Sequence, residues 1–213
     1  EDGEEINDSD SAEGYTVYCA NKKFAKKKTI TNEAIDDNLK VDNFLKVWAQ
    51  GLGEAARITK EKQHANIFNY GGYTAGHATF LNDVNNVLTT SYGNVCNDSE
   101  PFFNLSNNTR AAKSGVTFYN GVQTLDLNET NLQILYQLIT VTNSYNEANI
   151  KVSIIPDTLL VQLGSNNWFT ARRIIESPSS VEGAHSGITN LWKAGLKVVG
   201  WPFLTDSNAW FLG

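Results

Sequence analysis

Residues 42–72 read DNFLKVWAQGLGEAARITKEKQHANIFNYGG. Phe44, Trp48, Leu52 and Ala55 or Ala56 recur at spacings of three to four, and Ile58, Ala65 and Phe68 extend the apolar side. Lys46, Gln50, Glu54, Arg57, Glu61 and Gln63 hold the opposite side. The spacing predicts one amphipathic helix over about 43–69, with Asp42 as its N-cap and Gly71-Gly72 as its end. At roughly 25 residues it is about twice the usual length in a globular domain. Gly51 and Gly53 lie inside it, each costing roughly 1 kcal/mol relative to Ala. They mark a bend or a close helix approach.

Upstream of the helix the chain changes character twice. Residues 1–14 are acidic and small, without periodicity, and read as a solvated arm. From Tyr15 a strand-like alternation begins, interrupted by Lys22-Lys23-Phe24-Ala25-Lys26-Lys27-Lys28 and resumed by Thr29-Ile30-Thr31. This is the pattern of an extended hairpin with a basic tip. It has too little apolar surface to hold itself and needs a neighbour to lie on. Lys22, Lys23, Phe24, Lys26, Lys27 and Lys28 are therefore the candidate intersubunit contact residues. The alternative is a solvated tip that makes salt bridges, or a site for phosphate, membrane or nucleic acid.

Downstream, residues 70–125 are rich in Gly, Asn, Ser and Tyr and read as short strands and loops. A second helix is expected from Leu127-Asn128-Glu129-Thr130 to about Tyr145, with Leu132, Leu135, Tyr136, Leu138, Ile139 and Val141 on its apolar face. Strands are expected at 150–155, 158–163, 196–200 and 209–212, and a short helix at 167–177. Helices mixed with mostly antiparallel strands give an α+β class. No internal repeat appears.

Composition narrows the function. With 41% hydrophobic residues the 213-residue chain can build a core. No run of about 18 apolar residues exists to span a membrane, and no signal peptide opens the chain. The absence of Met implies that residue 1 is not a translation start, so a processed chain or a piece of a longer one is expected. A net charge of -6 argues against a dedicated nucleic-acid reader but not against a protein that encloses DNA. Cys19 and Cys96 are too few and too far apart for a disulfide framework or a metal site, which suits a reducing compartment. The sequons at Asn7, Asn97, Asn104, Asn107 and Asn128 follow from a chain rich in Asn.

The motifs of catalysis are missing from the sequence. It contains no GxxxxGK[ST] or GxGxxG, no GxSxG and no HExxH. His64, His77 and His185 have no ligand-type residue at metal spacing, and His64 reads as a surface or packing histidine. Asp36 and Asp37 are adjacent, so on a helix they point about 100° apart and do not converge on a substrate. The expectation is a non-enzymatic protein with no catalytic residue, cofactor or metal.

Six weak motifs in order then suggest a family. Residues 28–38, KTITNEAIDDN, lead into the long helix, and Gly51-Leu52-Gly53-Glu54-Ala55-Ala56-Arg57 lies inside it. Pro101-Phe102-Phe103-Asn104 is followed by Gly115-Val116-Thr117-Phe118-Tyr119-Asn120, with Asn107 near the place of the family's histidine. Pro156-Asp157-Thr158-Leu159-Leu160-Val161, then residues 171–177, ARRIIES, and finally Val198 to Asp206 with Ala209-Trp210-Phe211-Leu212 complete the series. Over about residues 15–212 the chain resembles the Mu-like major head subunits of tailed bacteriophages.

That resemblance implies the Hong Kong 97-like capsid fold. Its parts would be an N-terminal arm (1–14), an extended loop hairpin (15–31), a peripheral domain (32–149) with a spine helix at about 43–69, and an axial domain (150–213). It implies self-assembly into hexamers and pentamers of an icosahedral shell around double-stranded DNA, without sequence-specific binding or a membrane. Portal, scaffold or decoration proteins are candidate further partners. Assembly is expected in the bacterial host cytoplasm, and the virion head is the final location. In the family the chain continues beyond the last motif, so part of the axial domain is expected to be missing here unless the chain ends unusually early.

The competing expectation is a soluble carbohydrate- or ligand-binding domain that uses Trp168, Trp192, Trp201 and Trp210. Core and interface packing is the plainer role for those tryptophans.

Overall fold

The computed structural model describes residues 25–27, 29, 31–33, 41–71, 102–104, 110–111, 117–122, 124–146, 150–181 and 187–213. The N-terminal arm, the strand expected at 15–20, Asp36-Asp37, His77, His185, Cys19 and Cys96 lie outside the described residues.

The long helix, α1, runs Val41–Asn69. Its 29 residues make a rod of about 44 Å at 1.5 Å per residue. Asp42 is inside the first turn and so does not cap it. A Cβ built on Gly51 or Gly53 would meet nothing within 4 Å, so neither marks a close helix approach. Gly71 does mark one. A Cβ there would lie 2.5 Å from the Ile67 carbonyl oxygen and 2.7 Å from Phe103 Cε2. The chain returns on top of this residue, where the Phe103 N–H donates to the Gly71 carbonyl at 2.8 Å.

Two short strands, β1 (Arg110–Ala111) and β2 (Thr117–Phe118), pair antiparallel. The second helix, α2, covers Glu129–Gln137, and the Asn128 side chain caps it by accepting from the Asn131 N–H at 2.7 Å. The helix expected to continue to about Tyr145 instead widens into a π-helical turn, Leu138–Thr142. The hydroxyls of Thr140 and Ser144 donate back to the carbonyls of Tyr136 and Thr140, each at 2.9 Å. Such back-bonding competes with the regular ladder and bends helices.

The strand expected at 150–155 does not join a sheet. Lys151 makes one isolated antiparallel bridge, to Tyr145, and the Val152 N–H donates to Ser144 at 2.9 Å. Among the described residues β-propensity here finds no partner ladder, and propensity alone does not make a strand.

The C-terminal part is built around β3 (Thr158–Gln162), with β4 (Lys197–Trp201) on one side and β5 (Trp210–Leu212) on the other. β5 is antiparallel to β3, but β4 is parallel to it, from Thr158↔Lys197 to Gln162↔Trp201. The expectation of mostly antiparallel strands thus fails at the longest ladder. A parallel pair needs a crossover, and α3 (Asn166–Glu176) lies in it. Gly164, at φ +80°, turns the chain out of β3, and Ser165 caps α3 by accepting from the Trp168 N–H.

The alternation along the strands sorts the sheet into two faces. Leu159 and Val161, with Val198, Trp210 and Leu212, face α3 and pack with Ala171, Ile174 and Ile175 into the main core, joined by Leu127, Leu132 and Leu196. The other face holds Trp201 and Phe211, and onto it docks the C-terminal end of α1. Phe68 meets Phe211 at 5.1 Å, Trp201 at 5.8 Å and Phe103 at 6.0 Å between ring centroids. The sheet is therefore covered on both sides, but by only the last turns of the long helix.

Candidate functional site

Of the six candidate contact residues, Lys26 and Lys27 are described. Both are exposed and lie in neither helix nor strand. Lys22, Lys23, Phe24 and Lys28 lie outside the described residues, as does most of the expected hairpin.

The described part of the molecule offers instead a long exposed helix anchored at one end. Three contacts hold that end. Trp201 Nε1–H donates to the Glu61 carboxylate at 3.1 Å. Asn69 donates through Nδ2 to the Phe203 carbonyl at 3.0 Å and accepts the Thr205 N–H at 3.0 Å. The third is the Phe68 ring cluster. Towards the N-terminus the apolar side loses its cover. Among the residues of α1 whose burial is described, only Ala65 is buried, Trp48, Leu52 and Ile58 are half-buried, and Val47 is 60% exposed. His64, on the same helix, is exposed, as a surface histidine would be. The spacing of apolar residues pointed to the buried side of α1 but not to Glu61, which read as a polar-face residue, nor to Asn69.

The tryptophans do not converge. Trp168 stacks under Arg172, whose Cζ is 5.2 Å from the ring centre, and beside Phe169. Arg172 is held in turn by a hydrogen bond to Glu176 at 2.7 Å, which together with the opposite charge raises the guanidinium pKa further. Trp192 packs on the main core and on Tyr136 at 5.5 Å. Trp201 is in the α1 cluster. Trp210 packs on the main core and donates its indole N–H to the Leu125 carbonyl at 2.8 Å. All four are half-buried: Trp168, Trp192 and Trp210 pack around the main core and Trp201 lies in the α1 cluster.

A half-open cavity of about 480 Å³ lies beside β5, with Phe103, Leu125, Leu135, Ile139 and Trp210 among its walls and Asp206 at its rim. Among the described lining residues Asp206 is the one that carries a charge. Among the described residues no group of three or more His, Cys, Asp and Glu is gathered for a metal, and no helix is long and apolar enough to cross a membrane.

Several polar side chains serve as struts between segments. Asn190 donates through Nδ2 to the carbonyls of Ile174 and Ser177 at the end of α3 and accepts the Trp192 N–H at 2.9 Å. Its amide thus satisfies carbonyls that a helix end leaves open. Glu129 accepts from the Ser180 hydroxyl and from the Val181 N–H at 3.1 Å. Asn120 accepts the Asn104 N–H at 2.7 Å and donates to the Phe102 carbonyl at 2.8 Å, in the manner of an added strand. Of the sequon asparagines, Asn104 is 1% exposed, with neither its side-chain nitrogen nor its side-chain oxygen hydrogen-bonded to a described residue, and Asn128 caps α2.

What remains at the surface is apolar and scattered over several elements. Leu191 is 87% exposed, and Phe169 is 60% exposed. Such side chains are commonplace singly, but together with an uncovered rod they describe a molecule with more contact surface than it uses internally. Comparison with known proteins gives one match. A family model described as phage capsid protein matches residues 14–213. No curated protein matches the chain, and no solved structure does.

Proposed function

The chain belongs to the phage capsid protein family, and from that premise we propose that it is the major head subunit of a tailed bacteriophage, self-assembling into an icosahedral shell around double-stranded DNA. The family match, which runs over residues 14–213, carries the reading. The family is structural, and the role is that of a shell protein in the virion.

The finer parts of the proposal are a Hong Kong 97-like fold of the Mu-like type and assembly through hexamers and pentamers. The domain layout is an arm at 1–14, an extended loop at 15–31, a peripheral domain at 32–149 and an axial domain at 150–213. Two physical features support it. A rod anchored at one end leaves area that a neighbour must cover. A net charge of -6 suits a container that encloses DNA without gripping its phosphates. Each contact between subunits is modest, but every subunit makes several, and the lattice is stable through their number.

Electron microscopy of the purified protein tests the proposal. Closed shells or rings of five and six subunits are the expected result. A protein that remains monodisperse and monomeric at every concentration and ionic strength tried would remove it.

A further inference from the structure

Among the described residues, main-chain pairing stops at 153–155. Just before them, Val152 is bonded to Ser144 and the Asn146 N–H donates to Ile150. Just after them, the Asp157 N–H donates to Gly213 and the Asp157 carbonyl accepts from Lys197. Between these anchors, no main-chain hydrogen bond joins Ser153, Ile154 or Ile155 to another described residue. Ile154 is 43% exposed and Ile155 is 73% exposed. The sequence IKVSII is nevertheless β-prone and alternating. An unpaired β-prone segment held open at both ends is a template for another strand.

The charges around it say which strand. If the segment pairs antiparallel with itself about Ile154, Ser153 lies opposite Ile155 and Val152 opposite Pro156. Lys151 then lies opposite Asp157. Lys151 and Asp157 are exposed and opposite in charge, and the two-fold symmetry makes the pair twice. A parallel arrangement in register would instead set Lys151 on Lys151 and Asp157 on Asp157, which is repulsive. A two-fold contact of this kind is self-complementary by construction. We propose that residues 153–155 form a two-fold antiparallel contact with the same residues of a second copy of this chain, centred on Ile154 and flanked by Lys151 opposite Asp157. The inference rests on the capsid reading in placing this contact between subunits of a shell.

Cysteine cross-linking tests it, in the full chain with Cys19→Ser and Cys96→Ser as background. Ile154→Cys puts a thiol opposite its own copy, within reach of a disulfide if the strands pair. The expected result is a disulfide-linked dimer from Ile154→Cys under mild oxidation. The double variant Ser153→Cys/Ile155→Cys should also cross-link, and either of its single changes far less. Lys151→Asp should reduce the Ile154→Cys dimer, and adding Asp157→Lys should restore it. Two results overturn the inference: Ile154→Cys remains monomeric on a denaturing gel, or Ile155→Cys alone cross-links as well as Ile154→Cys. Electron microscopy of the same samples separates the two readings. Shells without the cross-link remove this contact and leave the capsid role, whereas a cross-linked dimer that never forms shells does the reverse.

Discussion

In the C-terminal part of the chain, Leu159, Val161, Ala171 and Ile174 are sealed between β3 and α3, whereas the first turns of α1 carry Leu45 and Val47 in the open. Both regions are amphipathic by sequence. The difference lies in what stands opposite. A crossover helix returns by necessity to the sheet it connects, so α3 buries its apolar face within its own subunit. A 29-residue rod outruns the sheet it docks on, and only its last turns find cover. The comparison teaches that apolar periodicity tells which side of a helix wants burial, but not whether the same chain supplies the burial.

The sharpest way to break the comparison is to remove equivalent side chains from the two regions. Ile174→Ala, at a residue 1% exposed, should cost about 2–5 kcal/mol, since it removes buried methyl groups and leaves a cavity. Val47→Ala should change subunit stability by no more than about 0.5 kcal/mol. Urea unfolding of the unassembled subunit measures both. Equal losses would mean that α1 is covered within the subunit after all, and the contrast drawn here would fail.

The same contrast explains which expectations from sequence held. The strand at Thr158–Gln162, the helix at Asn166–Glu176 and the strands at Lys197–Trp201 and Trp210–Leu212 were legible because local signals bound them. Pro156 and Gly164 bracket the first, and alternation runs through it. Parallel pairing of β4 with β3 was not legible, because it depends on the path of a crossover and not on either strand's residues. Residues 150–155 carried a strand pattern, yet among the described residues they make only an isolated bridge, from Lys151 to Tyr145, and no sheet ladder. Glu61 and Asn69 act at long range, on residues 140 and 134 positions away, and no local pattern encodes such partners.

A smaller effect is expected at the hinge between the two regions. Gly71 sits where the end of α1 meets Phe103, and an added methyl group would press on the Ile67 carbonyl at 2.5 Å. Backbone cannot move aside as a flexible side chain can, so Gly71→Ala should cost about 1–3 kcal/mol. The loss should appear as lower stability together with weaker near-ultraviolet signal from the Phe68 and Trp201 cluster. A variant as stable as the parent, with that signal intact, would show that the close approach at Gly71 is not required.

The smallest effect on the subunit, and the one that extends the comparison to assembly, is expected from the basic tract. Lys26 and Lys27 are exposed, and exposed ion pairs are individually worth roughly 0–1 kcal/mol. No single lysine should matter measurably to folding. Changing Lys22, Lys23, Lys26, Lys27 and Lys28 together to Glu alters the formal charge by ten units per subunit, from -6 to -16, because each +1 becomes -1. If the tract lies on an acidic neighbour, that change replaces attraction with repulsion at every copy of the contact. The variant should fold with unchanged circular dichroism and an unfolding free energy within about 0.5 kcal/mol of the parent, yet fail to form stable particles at low salt. Raising the ionic strength should restore part of the assembly, since about 1 M salt shortens the screening distance to roughly 3 Å. Salt would not rescue a defect caused by lost apolar contact, because Phe24 is unchanged in the variant and screening does not act on dispersion or burial. Particle yield at two salt concentrations therefore distinguishes charge from packing. Normal assembly at low salt would show that the tract is a solvated tip, and the uncovered rod of α1 would then have to find its neighbour without it.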